Sequence, residues 1–259
     1  MTLRLATINA LLLVVMLVLN TLANALPING RTTALISDSF PLVFAPAGYV
    51  FAIWGLIYLG VTGLVGYALT PAGRRSIRLG ALGIWLPVNF AANALWILAW
   101  HYGAYPVSLV LMLTILVSLK AMRARLDAVA QVEPPSRRDT WLVRAPLSVY
   151  QGWISVATIP NTAVVLLSAG WSGAPFAPEA WAALMVLVAA ALNLIMVVRL
   201  RDAAFGAVGV WALVGIFAKQ QSAYPPFALL SLGAAAAIAI SIAATVALRP
   251  RSARVGGAA

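Results

Sequence analysis

The sequence predicts an all-α protein, a polytopic transmembrane helical bundle of about eight spans. Three observations lead to this fold class. Of the 259 residues, 63% are hydrophobic and only 9% are charged, whereas soluble globular domains carry about 25% charged residues. Apolar runs long enough to cross a bilayer, about 20 residues each, recur along the whole chain. The polar segments between these runs alternate between strongly basic and nearly free of basic residues, as in a chain that crosses a membrane repeatedly.

The first four predicted spans are separated by short loops and bounded by charges, prolines and glycines. Span 1 begins like a signal peptide, with Arg4 before an apolar run, but its length favours a retained helix. A loop over residues 27–45 follows it. Span 3 contains Pro87, which lacks an N–H and predicts a kink. Spans 1 to 4 cover residues 5–26, 47–69, 79–100 and 106–121.

The second half of the chain predicts a long polar loop and four further spans. The loop covers residues 122–144, and Pro134 with Pro135 argues against a helix in its middle. Spans 5 to 8 cover residues 145–169, 179–198, 203–217 and 227–248. The predicted organisation is a five-helix membrane domain at 1–170, three additional transmembrane helices at 171–248 and a disordered cytoplasmic tail at 249–259.

The basic residues predict how the chain is oriented. With eight spans and a cytoplasmic N-terminus, 15 of the 17 Lys and Arg residues fall inside, and only Arg31 and Lys219 fall outside. The expected location is a bacterial inner (cytoplasmic) membrane, with both termini cytoplasmic. Because the basic residues of the predicted cytoplasmic segments account for the net charge of +11, nucleic acid is not an expected partner.

Several classes of chemistry are disfavoured by the residue types present. The chain has no Cys and a single His, His101, which argues against disulfides, a multi-His metal site and a Ser–His triad. All six acidic residues fall in loops or at predicted helix ends, whereas ion-driven pumps bury carboxylates at mid-membrane. An enzyme is therefore not favoured, and no metal site and no required cofactor are expected.

Three predicted helices each carry a face of aromatic, amide or small side chains. The spacings of three, four and seven residues place these side chains on one side of each helix. The candidate ligand-binding residues are Phe51, Trp54 and Tyr58 on span 2, Asn93 and Trp96 on span 3, and Trp153, Ala157 and Asn161 on span 5. Such faces suit a cavity for a flat apolar ligand, but they also occur where helices only pack together. Trp100 is expected near the membrane interface, where amphipathic rings are enriched.

Three segments of the chain are similar to one known family. They are P-A-G-Y-V-F-A-I-W-G-L-I-Y at 46–58, Asn93-Ala94-Leu95-Trp96 followed by Pro106, and W-I-S-V-A-T-I-P-N at 153–161. In this order, on spans 2, 3 and 5, they resemble the TspO/MBR family, the tryptophan-rich sensory proteins or translocator proteins. The motifs depart from the family pattern in three places: the segment between Gly48 and Trp54 is one residue shorter, Ile97 replaces a Ser, and Pro160 replaces an aliphatic residue.

The resemblance covers residues 1–170, the five-helix body of the family, and spans 6 to 8 look like its longer bacterial branch. It implies a pocket that opens toward the loop between spans 1 and 2 and binds porphyrins or other flat hydrophobic molecules. A porphyrin or haem is thus expected as a ligand. The family's pocket residues carry over to Trp54, Asn93, Trp153, Ala157 and Asn161, with Phe51 and Tyr58 as weaker candidates.

The expected function is a membrane sensor or binding protein for porphyrins or similar flat hydrophobic ligands. A transporter of such ligands remains open, and an internal repeat or a second pocket formed with spans 6 to 8 would favour it. A light-dependent porphyrin-degrading activity at Trp54 or Trp153, or a purely structural role, also remains open. Expected partners are membrane lipid and a hydrophobic small molecule, and a homodimer through Gly60, Gly63 and Gly66 is a further option.

Overall fold

A computed structural model describes residues 1–26 and 28–248, so the tail predicted at 249–259 lies outside the described residues. Within the described part the chain is all-α, with eight helices of at least 17 residues that follow the predicted spans in order. They are α1 (Leu3–Ala25), α2 (Ile53–Leu69), α3 (Trp85–His101), α4 (Tyr105–Val132), α5 (Ala145–Ser168), α6 (Pro178–Val198), α7 (Ala203–Gln220) and α8 (Pro225–Ala247).

Six helical segments are long and apolar enough to cross a membrane, fewer than the eight predicted. They are α1, α2 with its preceding turn (Gly48–Leu69), α4, α6, α7 and α8. The helix α3 has only 17 residues, and α5 carries polar side chains such as Gln151 and Asn161. Both helices carry amide side chains that are buried inside the bundle, and these polar residues lower the mean hydropathy of the two helices.

The first five helices form a closed ring. The helix α1 packs against α2 and α3, α3 packs against α4, α4 against α5, and α5 against α2. One hydrophobic core fills this ring, and its fully buried side chains include Met16, Phe90 and Tyr150. The ring therefore brings α2, α3 and α5, which carry the aromatic faces, around one centre.

The last three helices form a second unit that is joined to the ring through α7. The helices α6, α7 and α8 pack on one another around their own hydrophobic core, to which Val156 of α5 also contributes. Gly152 lets α5 approach α7 closely, since a Cβ atom there would lie 3.1 Å from the carbonyl oxygen of Phe205. The contact between α5 and α7 thus fixes the second unit against the ring.

The break predicted in span 3 occurs at a different residue. A short helix, Ile77–Leu82, ends at Gly83, whose φ of 55° is left-handed and suits glycine. Pro87 lies in the first turn of α3, where a missing N–H costs no helical hydrogen bond. The kink expected at Pro87 is therefore a break at Gly83.

The loop predicted at 122–144 is shorter than expected. The helix α4 continues to Val132 and ends just before Pro134 and Pro135. Arg123 and Asp127, one turn apart and 3.6 Å from each other, stabilise this polar extension. Helical structure resumes at Arg137 and runs through a five-residue π-helix, Thr140–Arg144, into α5.

Ion pairs join the helix ends that carry most of the arginines, which we call the basic end of the bundle. The pairs are Arg78 with Glu133 and Asp139, Arg144 with Asp127, and Arg123 with Asp202. The N-terminal ammonium also donates a 2.8 Å hydrogen bond to the carbonyl oxygen of Arg74. The acidic residues predicted at helix ends thus serve here as partners of arginine, and they connect α4 to the starts of α5 and α7.

The glycine face suggested for a homodimer is partly used inside the chain. A Cβ atom at Gly60 would lie 2.9 Å from the Cβ atom of Pro146, and one at Gly63 would lie 3.8 Å from Leu142. Gly60 therefore lets α2 approach the start of α5 closely, whereas the distance at Gly63 is an ordinary van der Waals contact. The prediction of a homodimer gains no support from this face.

Candidate ligand-binding site

Aromatic side chains of α2, α3 and α5 meet at the centre of the ring, with Trp54 in their midst. The Trp54 ring lies 5.5 Å from Tyr58, 6.1 Å from Trp96, 5.9 Å from Tyr150 and 6.3 Å from Trp153, measured between centroids. All four separations fall in the range of direct aromatic contact, about 4.5–7 Å. The faces predicted on three separate helices are thus in contact.

Two further rings extend this group. Trp100 stacks on Trp96 with centroids 5.9 Å apart and planes at 21°. Phe51 meets Trp153 edge-on at 5.8 Å. We call the whole group the aromatic cluster. Its members are Phe51, Trp54, Tyr58, Trp96, Trp100, Tyr150 and Trp153.

A series of hydrogen bonds between buried polar side chains holds one member of the cluster, Tyr150, in place. Asn20 of α1 donates to the side-chain oxygen of Asn93 at 2.9 Å, and the Asn93 amide donates to the hydroxyl of Tyr150 at 2.6 Å. These three residues are buried and join α1, α3 and α5. Asn93 is therefore already partnered by protein groups.

Asn161 is partnered in a similar way at the edge of the cluster. It accepts a 3.2 Å hydrogen bond from the indole N–H of Trp96 and donates a 2.9 Å bond to the hydroxyl of Ser108. The bond from Trp96 orients its ring between α3 and α5. Both amides on the predicted list thus hold the aromatic rings in place.

A cavity of about 40 Å³ remains between the rings, which is room for about one water molecule. Six of the eight predicted residues line it, namely Phe51, Trp54, Trp96, Trp153, Ala157 and Asn161. Tyr58 stacks on Trp54, and Asn93 bonds to Tyr150, so these two support the wall from outside. The rest of the wall includes Thr33, Ser37, Phe44 and Pro46. A role for any of these residues in ligand binding stays a prediction.

Two polar atoms of the cavity-lining residues are buried without a partner. Within the described part of the chain, the indole nitrogen of Trp153 and the hydroxyl oxygen of Thr33 make no hydrogen bond. Leaving a buried polar group unpaired costs about 1–3 kcal/mol. Both residues also line the cavity.

The chain between α1 and α2 covers this cavity and is fastened to α7. We call residues 28–52 the cover segment. Its fastenings are Ala47 N–H to the Gly215 carbonyl at 3.0 Å, the Trp211 indole to the Val50 carbonyl at 3.0 Å, the Gln220 amide to the Val43 carbonyl at 2.9 Å, and an ion pair between Lys219 and Asp38. The cavity thus lies under the loop between α1 and α2.

Sequence reasoning missed several residues of the site, among them Trp100, Tyr150 and Thr33. Trp100, expected at the membrane interface, is only 5% exposed and lies inside the cluster; its spacing of four residues from Trp96 was a usable signal. Tyr150 is fully buried three residues before Trp153, another helical spacing. Thr33 comes from the cover segment, where no helical periodicity marks it.

A second and larger cavity lies between the ring and the second unit. It has a volume of about 790 Å³ and walls from α4, α5 and α6, with Phe205 of α7. We call it the seam groove. It is a second pocket, formed between the ring and the last three helices.

The single histidine lies apart from both cavities. His101 is buried at the end of α3, and its Nδ1 atom is 2.7 Å from the carbonyl oxygen of Ile97. Among the residues described, no group of three or more His, Cys, Asp or Glu side chains is placed to hold a metal ion.

Comparison with known proteins assigns the chain to one family. The sequence profile of the family described as TSPO-like protein matches residues 6–246, from the first turn of α1 to the end of α8. No curated protein and no solved structure gives a match. The family match includes α6 to α8, beyond the 170 residues covered by the motifs. The chain is therefore a multi-pass membrane protein that belongs to the TSPO-like protein family.

Proposed function

We propose that the protein binds a flat hydrophobic ligand, most suitably a porphyrin, within the aromatic cluster. The observation that carries this proposal is the cavity walled by aromatic rings, where Trp153 and Thr33 each leave a buried polar atom unpaired. A planar ring system with polar substituents suits both features, since it stacks on aromatic rings and offers partners to the two atoms. The resemblance to the TspO/MBR family favours the same class of ligand.

The site must open before it admits such a ligand. Its present volume of about 40 Å³ is far below the roughly 300–1,000 Å³ of small-molecule sites. The rings stack on one another instead, as Trp96 does on Trp100. A flat ligand would exchange these ring–ring contacts for ring–ligand contacts of the same kind. In this proposal the structure is therefore the closed form of the site.

The cover segment is the part of the wall most suited to move. Its regular structure is limited to short pieces such as Thr33–Asp38 and Gly48–Ala52. Its ion pair to α7, between Asp38 and Lys219, is partly exposed, and such pairs contribute only about 0–1 kcal/mol. The helices of the ring are instead joined along their lengths by the hydrophobic core. Lifting the cover segment would expose Thr33 and the cluster together.

We further propose that all eight long helices cross a bacterial inner membrane with both termini in the cytoplasm. In this arrangement the basic end faces the cytoplasm, in agreement with the preference of Lys and Arg for that side. Because the chain has no cysteine, single cysteines introduced at Arg75 and Gly170 report the orientation. A membrane-impermeant maleimide should label the Gly170 position in intact spheroplasts and the Arg75 position only after lysis. Labelling of Arg75→Cys in intact spheroplasts would contradict it.

Titration of purified protein with protoporphyrin IX in the dark, followed by the Soret band and Trp fluorescence, tests the ligand proposal. Trp153→Phe removes the unpaired indole N–H but keeps an aromatic ring. We expect saturable binding that this variant weakens by about 2–10-fold, the effect of one hydrogen bond. Trp181→Phe is the matched control, because Trp181 lines the seam groove, and it should leave the affinity unchanged. Absence of saturable binding, or equal loss in both variants, would contradict the proposal.

Transport is the second candidate function, and the seam groove is the observation that favours it. A transporter placed in liposomes would move a trapped porphyrin across the bilayer, whereas a sensor would bind it without net movement. Illumination separates a third role, light-dependent degradation, because only that role produces a bilin-like product. Loss of this product in Trp153→Phe at saturating porphyrin would assign it to the cluster.

A further inference from the structure

The seam groove runs along a face of α5 that points away from the aromatic cluster. Its wall on α5 extends from Gln151 to Leu166, about 22 Å along the axis at 1.5 Å per residue. The hydrocarbon core of a bilayer is about 30 Å thick. The groove therefore spans most of the apolar depth of a membrane, and no residue lining it also lines the central cavity.

The side chains that line the middle of the groove favour an apolar ligand. Besides its Leu, Ile, Met and aromatic side chains, it contains three hydroxyl groups on α5. Ser155 donates to the Gln151 carbonyl at 2.8 Å, Thr158 to the Ile154 carbonyl at 2.7 Å, and Thr162 to the Thr158 carbonyl at 2.8 Å. Because these hydroxyls bond to their own helix, they need neither water nor a polar ligand.

The two ends of the groove differ in chemistry. Lys120 lines the groove at the basic end, is exposed, and forms no ion pair within the described residues. The carboxylates at this end do not neutralise it, since Asp127 and Asp202 pair with arginines. At the other end, Trp171 and Trp181 meet edge-on at 5.4 Å. The groove thus has one cationic end and one aromatic end.

An elongated molecule with an apolar chain and an anionic head matches this arrangement, and the surrounding membrane supplies such molecules as lipids. We propose that the seam groove is a binding site for one anionic phospholipid, with its phosphate at Lys120 and an acyl chain along α5 toward Trp171. The groove is open along one side, which lets the chain enter from the bilayer. The lipid would then fill the space between the ring and α6. This inference does not depend on porphyrin binding at the cluster.

Native mass spectrometry of the full chain tests this site. Delipidated protein is reconstituted with equal amounts of phosphatidylglycerol and phosphatidylethanolamine, extracted gently and analysed for retained lipid. We expect one phosphatidylglycerol per chain in preference to phosphatidylethanolamine. Lys120→Gln should lower this preference by about five-fold, the effect of one cation near an anionic lipid. Arg75→Gln, which removes an exposed charge at the same end but off the groove, should leave the preference unchanged.

A second variant blocks the groove itself. Ala163 lines it, and Ala163→Trp should abolish lipid retention while the variant keeps wild-type helical content by circular dichroism. Retention of phosphatidylglycerol by Ala163→Trp, or an unchanged preference in Lys120→Gln, would overturn the proposal. Stoichiometric displacement of the lipid by protoporphyrin IX, unaffected by Trp153→Phe, would also overturn it, since the groove would then be a porphyrin site.

Discussion

The side-chain amide of Asn93 donates a 2.6 Å hydrogen bond to the hydroxyl of Tyr150, between α3 and α5. Both residues are fully buried, and Asn93 also accepts a bond from Asn20 of α1. Tyr150 in turn contacts Trp54 with ring centroids 5.9 Å apart. Asn93 therefore positions the aromatic cluster through Tyr150.

This bond predicts an energetic coupling between Asn93 and Tyr150. Asn93→Ala leaves the Tyr150 hydroxyl unpaired, and Tyr150→Phe leaves an Asn93 N–H unpaired, so each should destabilise the protein by about 1–3 kcal/mol. A double-mutant cycle from thermal unfolding in detergent should give a coupling energy of about 0.5–3 kcal/mol. Strictly additive effects would show that the two side chains do not interact.

The break before α3 predicts that Gly83 cannot be replaced by another residue without a loss of stability. Gly83 has φ 55° and ψ −137°, a conformation that costs other residues about 1–3 kcal/mol. A Cβ atom there would also lie 2.7 Å from an Arg125 nitrogen. Gly83→Ala should therefore lower the melting temperature clearly. Gly66→Ala is the matched control, because a Cβ atom at Gly66 meets nothing within 4 Å; a similar loss in both variants would contradict the assignment.

The buried ion pair at the basic end predicts an asymmetric response to charge removal. The side chains of Arg78 and Asp139 are only 5% and 11% exposed, whereas that of Glu133 is 56% exposed. Arg78→Met would leave Asp139 buried without its cation and should cost about 3–5 kcal/mol. Glu133→Gln removes the exposed partner and should cost about 0–1 kcal/mol. Unfolding in detergent measures both changes, and equal losses would argue that Arg78 is hydrated.

Much of the fold could be predicted from local sequence signals. The ends of α6 and α8 lie within two residues of the predicted ends, because Pro, Gly and Arg residues bound long apolar runs. The extension of α4 to Val132 was missed, since polar residues there form a helix supported by ion pairs. Membership of the TSPO-like family, suggested by three motifs, is confirmed over residues 6–246. The division at residue 170 stays a prediction.

The candidate site could be predicted only in part. Helical spacing found Trp54, Trp96 and Trp153, which the ring brings into contact. It did not show that the amides would be partnered by Tyr150 and Ser108, because those pairings depend on how helices distant in sequence pack. A stripe of aromatic residues also looks the same whether the rings stack on a ligand or on one another. The closed cavity therefore had no signature in the sequence.

Locking the cover segment tests the central claim most directly. In the cysteine-free chain, Asp38→Cys with Lys219→Cys places two thiols where an ion pair now joins the cover segment to α7. A short bismaleimide would then hold the segment closed. We expect the double variant to bind protoporphyrin IX before cross-linking and to lose saturable binding after it, whereas each single-cysteine variant treated with the same reagent keeps its affinity. Undiminished binding by the cross-linked protein would contradict a ligand site beneath the cover segment.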